Sequence, residues 1–129
     1  QGRIYFPEDK ARQGRRQYPQ LHVQLNNGVD AHARSWVMNI ASVTIGRSWH
    51  CDIVVEDKRI SANHIKVYWE NSGYMVEDLN SSNGTVLNGK TLKKKSAEKL
   101  TDGDEITLAG ICKIRFTMWE PLDKTVASL

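Results

Sequence analysis

Four short segments carry residue types suited to holding an anion: Gly46-Arg47, Arg59-Ile60-Ser61-Ala62-Asn63-His64, Ser82-Asn83-Gly84-Thr85 and Asn88-Gly89. A phosphate monoester presents three acceptor oxygens and nearly two negative charges at neutral pH, so it calls for donors and positive charge together. An arginine, a serine hydroxyl and an Asn/Gly turn with free backbone N–H groups supply both. Each segment alone is an ordinary loop. The ordered set points to a single anion site.

The same residues also suggest other chemistries, which their surroundings do not support. Ser61 and His64 have the types of a nucleophile and its base, but no G-x-S-x-G elbow occurs, and no orienting carboxylate or oxyanion pair is evident. Gly84-Thr85-Val86-Leu87-Asn88-Gly89-Lys90-Thr91 matches the P-loop pattern G-x-x-x-x-G-K-[ST] position for position. A P-loop needs a buried strand before it and a helix opening at Lys-Thr. Here Thr85-Val86-Leu87 reads as strand and Asn88-Gly89 as a two-residue hairpin turn, so nucleotide hydrolysis is not expected. His22, His32, His50, His64, Cys51 and Cys112 show no C-x-x-C or H-x-x-x-H spacing, so no metal and no cofactor is expected. His50 and Cys51 read as neighbours on a strand, facing opposite ways. The two cysteines read as small buried side chains of a reducing compartment. Asn80-Ser81-Ser82 and Asn83-Gly84-Thr85 fit the glycosylation pattern, which has meaning only in a secreted chain.

These loops are separated by short β-branched or aromatic runs. Leu21, Val23 and Leu25 alternate with polar residues before Asn26-Asn27-Gly28, a strand entering a turn. Trp36 to Ile40, Val43 to Ile45, Ile53 to Val55, Ile65/Val67/Trp69, Tyr74/Val76, Thr85 to Leu87, Ile106/Leu108 and Ile114/Phe116/Met118 follow in the same style. Asn71-Ser72-Gly73 and Thr101-Asp102-Gly103-Asp104 are turn signals. The single candidate for a helix, Leu92 to Leu100, is spoiled by a lysine run. An all-β sandwich or barrel is therefore expected, with the anion-site segments on its loops.

Length and charge bound the rest. With 129 residues, 26% charged and 40% hydrophobic, the composition is that of one soluble globular domain. No apolar run reaches the roughly 18 residues a membrane span needs. The net charge of +3 resides in residues 1–20, where Arg3, Lys10, Arg12, Arg15 and Arg16 outnumber Glu8 and Asp9. The remainder is balanced, which argues against a DNA-binding face. Residues 1–17 are expected to be a flexible basic extension, 18–120 the domain and 121–129 a trailing linker. The chain opens without Met and is expected to be a monomeric part of a longer protein.

The order and spacing of the four segments resemble the forkhead-associated (FHA) family, phosphothreonine-peptide readers, over roughly Leu21 to Met118. The resemblance implies a sandwich of two twisted, mostly antiparallel sheets with about eleven strands and no enzymatic activity. It implies that Arg47 and Ser61 bind phosphate, that Ser82 adds a side-chain or backbone donor, and that Asn83 holds the peptide main chain. Gly46, His64, Gly84, Thr85, Asn88 and Gly89 would support the site, with His64 bonding loop backbone and Asn88-Gly89 turning a hairpin. Ala62 stands where phosphate-contacting members often carry Lys, Arg or Asn, and it offers only its backbone N–H. Arg59 resembles the arginine with which some checkpoint-kinase members prefer an acidic residue three positions after the phosphothreonine. The implied partners are phosphothreonine proteins in DNA-damage or cell-cycle signalling, in a nuclear or nucleocytoplasmic setting. The alternative is a sandwich that holds unmodified protein partners without phosphate.

Overall fold

A computed structural model describes residues 2–6, 18–26 and 31–118. These residues form twelve strands in two six-stranded sheets, and no helix occurs among them. The first sheet has the order β1 (Ile4–Tyr5), β5 (Ile53–Val55), β4 (Ser42–Gly46), β6 (Ile65–Glu70), β7 (Gly73–Asp78), β10 (Ala97–Leu100). The second has the order β3 (Ala31–Val37), β2 (Pro19–Asn26), β12 (Cys112–Met118), β11 (Asp104–Leu108), β8 (Thr85–Leu87), β9 (Lys90–Thr91). All pairings are antiparallel except β4 with β5.

Alternation decides which side of each strand is buried. On β2, Leu21, Val23 and Leu25 are buried while His22 and Gln24 are not; on β12, Cys112, Ile114 and Phe116 are buried while Lys113 and Arg115 are exposed. These side chains meet Val43, Ile45, Ile53, Val55, Ile65, Val67 and Val76 of the other sheet in one core. Each such aliphatic side chain, fully buried, stabilises the fold by about 1.5–3 kcal/mol before chain entropy is set against it.

The parallel β4/β5 pair follows from one carboxylate. Asp52 accepts from the Thr44 N–H at 2.9 Å and the Thr44 hydroxyl at 3.1 Å, and its own N–H donates to Thr44 Oγ1 at 3.1 Å. The chain after Arg47 is thus folded back alongside β4 before β5 begins. Turns behave as their residues require: Asn88 and Gly89 have φ of 50° and 84°, and Asn71 and Ser72 have 54° and 64°. Both pairs fit the left-handed two-residue hairpin turn.

Three local expectations are corrected. The fold does not begin at Tyr18, because Ile4 and Tyr5 pair with Val55 and Val54 and Ile4 is buried in the core. The strand expected at Trp36 to Ile40 instead runs from Ala31 to Val37, with seven residues in register with β2, and Ile40 lies exposed beyond it. Its Ala-His-Ala-Arg-Ser composition has little strand character, so pairing and not propensity forms it. His50 and Cys51 lie in a turn, where the Cys51 N–H donates to the Ser48 carbonyl at 3.0 Å. Leu92 to Leu100 is not helical, in keeping with its lysine run: Lys95 has φ of 64° and its N–H donates to the Asp78 carbonyl at 2.7 Å. Cys51 and Cys112 are buried and unpaired, and burial pushes the Cys112 thiol up to about 12. Residues 7–17, the turn at Asn27-Gly28 and the linker 121–129 lie outside the described residues.

Candidate functional site

Three loops converge at one end of the sandwich: 47–52 after β4, 56–64 after β5 and 79–84 after β7. Backbone bonds join the first two, with the Arg47 N–H donating to the Ser61 carbonyl at 2.9 Å and the Ser48 N–H to the Ala62 carbonyl at 3.1 Å. Gly46 makes that approach possible. A Cβ there would lie 2.3 Å from the Ala62 oxygen and 2.9 Å from the Ser61 oxygen, distances that real Cβ atoms do not adopt. Arg47 Nε–H donates to the Ile60 carbonyl at 2.9 Å, which fixes an otherwise exposed guanidinium by its inner nitrogen. No other hydrogen bond or ion pair of that guanidinium is found among the described residues.

His64 ties the second loop to the third. It is fully buried; the Ser61 N–H donates to its Nδ1 at 3.1 Å, and Nε2 lies 2.9 Å from the Gly84 carbonyl. A backbone N–H only donates and a carbonyl only accepts, so Nδ1 carries the lone pair and Nε2 the proton. The ring is neutral. Burial lowers its pKa below the ordinary histidine value, against the Gly84 carbonyl and Asp78, which pull it up. Two more bonds close the ring of loops. The Ser82 N–H donates to Ser61 Oγ at 2.9 Å, and Asn83 Nδ2 donates to the Arg59 carbonyl at 2.8 Å. Since Ser61 Oγ accepts from Ser82, its own hydroxyl proton is left to point at an incoming acceptor.

A buried carboxylate, absent from the sequence-based candidates, holds the third loop. Asp78 accepts from the Ser81 hydroxyl at 2.6 Å, the Thr85 hydroxyl at 2.5 Å, and the N–H groups of Asn80 and Ser81, each at 3.0 Å. Ser81 Oγ in turn accepts from the Gly84 N–H at 3.1 Å. Burial pushes the Asp78 carboxyl up, but the bonds from Ser81 and Thr85 outweigh it and hold it below the usual range. This network holds Thr85 to the third loop. An aspartate three residues before a serine ahead of a Gly-Thr pair is a local turn signal that could have identified it in the sequence.

The remaining sequence candidates divide. Arg59 does not point freely into the site: its Nε and terminal nitrogen grip Asp57 at 2.9 and 2.7 Å, and its backbone N–H bonds the same carboxylate at 2.9 Å. The Arg59 hydrogen bond is the main reason the Asp57 pKa is lowered. Asn88 and Gly89 form the β8–β9 turn. There the Asn88 amide donates to Asp104 at 2.9 Å and its oxygen accepts the Glu105 N–H at 2.8 Å. The P-loop-like stretch is therefore a β-hairpin. No group of three or more His, Cys, Asp or Glu arranged to hold a metal occurs among the described residues.

A β-sandwich that gathers an arginine, a serine hydroxyl and an asparagine on loops at one end is a loop-presenting binding domain. The chain belongs to the forkhead-associated family: the FHA domain model matches residues 43–109, a span that holds all four sequence segments. It is 37% identical over 57 residues to an FHA domain-containing protein of Arabidopsis thaliana, matching 44% of this chain and 15% of that protein. It is 33% identical over 87 residues to the transcriptional regulatory protein EmbR of Mycobacterium tuberculosis, matching 67% of this chain and 21% of that protein. The chain thus matches a small part of each relative. Among solved structures it is similar to the N-terminal FHA domain of Saccharomyces cerevisiae Rad53p in complex with a phosphothreonine peptide. That match has a TM-score of 0.61 and 26% identity, and it covers 84% of this chain and 98% of that one.

Proposed function

We propose that this domain recognises phosphothreonine in partner proteins, with Arg47 and Ser61 taking the phosphate and Asn83 the neighbouring peptide backbone. The observation that carries the reading is the neutral His64 bridge. It fixes the Ser61 loop to the Gly84 loop, while Gly46 lets Arg47 close on the Ser61 loop. The donors are thereby placed before a ligand arrives, which lowers the ordering cost of binding. Arg47 supplies a charge and outward N–H groups, and Ser61 a donor hydroxyl. With the Ser82 N–H already given to Ser61, Ser82 itself has its hydroxyl to offer. Ala62 presents no donor side chain, so the site depends heavily on Arg47.

Binding, not catalysis, fits this wiring. His64 accepts from the Ser61 backbone and not from its hydroxyl, and its other nitrogen is taken by a carbonyl, so it is not placed to remove a proton from Ser61. Arg59 retains half its side-chain surface, 47%, and a peptide carboxylate at the third position after the phosphothreonine would share its guanidinium with Asp57. Relatives occur in a bacterial transcriptional regulator and a yeast kinase alike. A role within a larger signalling protein is accordingly part of the proposal, and the DNA-damage and nuclear setting is its narrower form.

Fluorescence anisotropy with phosphothreonine, phosphoserine and unphosphorylated peptide pools tests the reading. Binding confined to phosphothreonine and lost in Arg47→Ala is expected. Equal binding of the unphosphorylated pool would instead support recognition of unmodified partners.

A further inference from the structure

Beside Arg47 and Ala62 the site continues into an open groove of about 720 Å³, also lined by Trp49, Glu56, Asp57 and Lys58. Trp49 is 66% exposed, the most exposed large apolar side chain among the described residues. Single surface apolar residues need no explanation, but this one is built in place. It stands inside a turn closed by the Cys51 N–H on the Ser48 carbonyl at 3.0 Å and by the His50 N–H on the Ser48 hydroxyl at 3.1 Å. Its ring packs against Tyr5, centroids 4.8 Å apart at 50°. Tyr5 is there because β1 pairs with β5, a pairing extended by the Gly2 N–H to the Glu56 carbonyl and the Glu56 N–H to the Arg3 carbonyl.

We propose that Trp49, backed by Tyr5, forms an apolar wall that receives a leucine-like or aromatic side chain flanking the phosphothreonine. The inference rests on the phosphothreonine reading, since Arg47 of the phosphate site lines the same groove. The charges of the groove point to an apolar guest. Arg47 is committed to the phosphate and Asp57 is paired with Arg59, so the exposed aromatic surface of Trp49 is the distinctive feature of the groove. A short N-terminal strand, far from the site in sequence, thereby becomes part of the peptide surface. Aromatic anchors next to a charged centre are the residues on which binding energy concentrates.

The test uses the intact chain and labelled phosphothreonine peptides whose flanking positions, three before to four after, are all small residues. Each position is then changed in turn to Leu or Phe. Covering one such side chain is expected to tighten binding by about tenfold at one position. In Trp49→Ser that gain should fall to about twofold or less, and Tyr5→Ala should reduce it partially, with thermal melting confirming that both variants are folded. If phosphothreonine peptides bind but no position gains, or if the gain survives in folded Trp49→Ser, the apolar wall is refuted and the phosphate site stands. If wild type binds no better than Arg47→Ala, both readings fall.

Discussion

Gly46→Ala isolates the contact on which the site's assembly depends. The added methyl would sit 2.3 Å from the Ala62 oxygen and 2.9 Å from both the Ala62 carbonyl carbon and the Ser61 oxygen, all backbone atoms. An ordinary carbon–oxygen contact is about 3.3–3.6 Å, so the two loops must part by roughly 1 Å. Overpacking of this kind costs about 1–3 kcal/mol. The parting also weakens the Arg47–Ser61 and Ser48–Ala62 backbone bonds, at about 1 kcal/mol each. The lower entropy of an unfolded alanine returns about 0.4–1 kcal/mol, leaving a net loss of about 3 kcal/mol and a fall in Tm of roughly 10 °C. Peptide affinity should fall at least tenfold, because moving Arg47 relative to Ser61 misaligns a charge-assisted bond to the phosphate worth about 1.5–3 kcal/mol. Gly73→Ala serves as the comparison, since its nearest neighbour is the movable end of Lys99 at 3.2 Å. Thermal melting and anisotropy measure both quantities. A Gly46→Ala protein that melts within 2 °C of wild type, or that melts lower but binds phosphothreonine peptide unchanged, would refute the coupling of this glycine to the site.

Two further outcomes follow. Asn88→Ala removes the bonds to Asp104 and Glu105 and puts a Cβ residue without a side-chain partner at φ 50°, so urea denaturation should show a loss of about 1–2 kcal/mol; anisotropy should find peptide affinity within about twofold, as expected of scaffold. Stability should fall with acid in two stages. His64 has a lowered folded pKa, so its contribution is complete above the ordinary histidine value near 6.5 and declines below it, by at most about 1.4 kcal/mol per pH unit. Asp78 and Asp57, also lowered, keep theirs above the usual carboxylate value near 4 and lose it beneath. Urea midpoints from about pH 8 down to about pH 2 read both stages, and a domain more stable at pH 5 than at pH 7.5 would contradict the first.

The sequence made the site's donors visible because charged and hydroxyl side chains in loops are hard to explain by packing. It made Asn88-Gly89 visible because few other pairs accept a left-handed turn. It hid β1, since Ile4 and Tyr5 acquire strand character only beside Val54 and Val55, some fifty residues on. It hid β3 for the same reason, its pairing with β2 overriding a poor composition. Asp78 went unread because its partners are hydroxyls and backbone N–H groups of a turn that, in sequence, looks like any polar loop. The P-loop pattern shows the converse: eight matching residues do not make a P-loop once Thr85 to Leu87 extend as strand and the second glycine turns a hairpin.

The charge balance makes the site's architecture the decisive factor. Residues 21–129 carry equal numbers of acidic and basic side chains, so net charge alone does not draw phosphate to this part of the chain. In the proposed site, selectivity rests on one guanidinium and a few donors held at fixed separations. Hence the weight placed on groups that never meet the ligand. Gly46 sets the distance from Arg47 to Ser61, His64 sets that from Ser61 to Gly84, and Asp78 sets the curvature of the Asn80–Gly84 turn. A protonated His64 would add a positive charge near the phosphate, yet it would forfeit the acceptor that holds the Ser61 N–H. Burial resolves that conflict in favour of the neutral ring. The phosphate's own second ionisation, near pH 6, lies close to the ordinary histidine value. Acidification therefore removes the ligand's charge over the same range in which the unfolded chain begins to gain protons that the folded His64 refuses, so binding and folding weaken together.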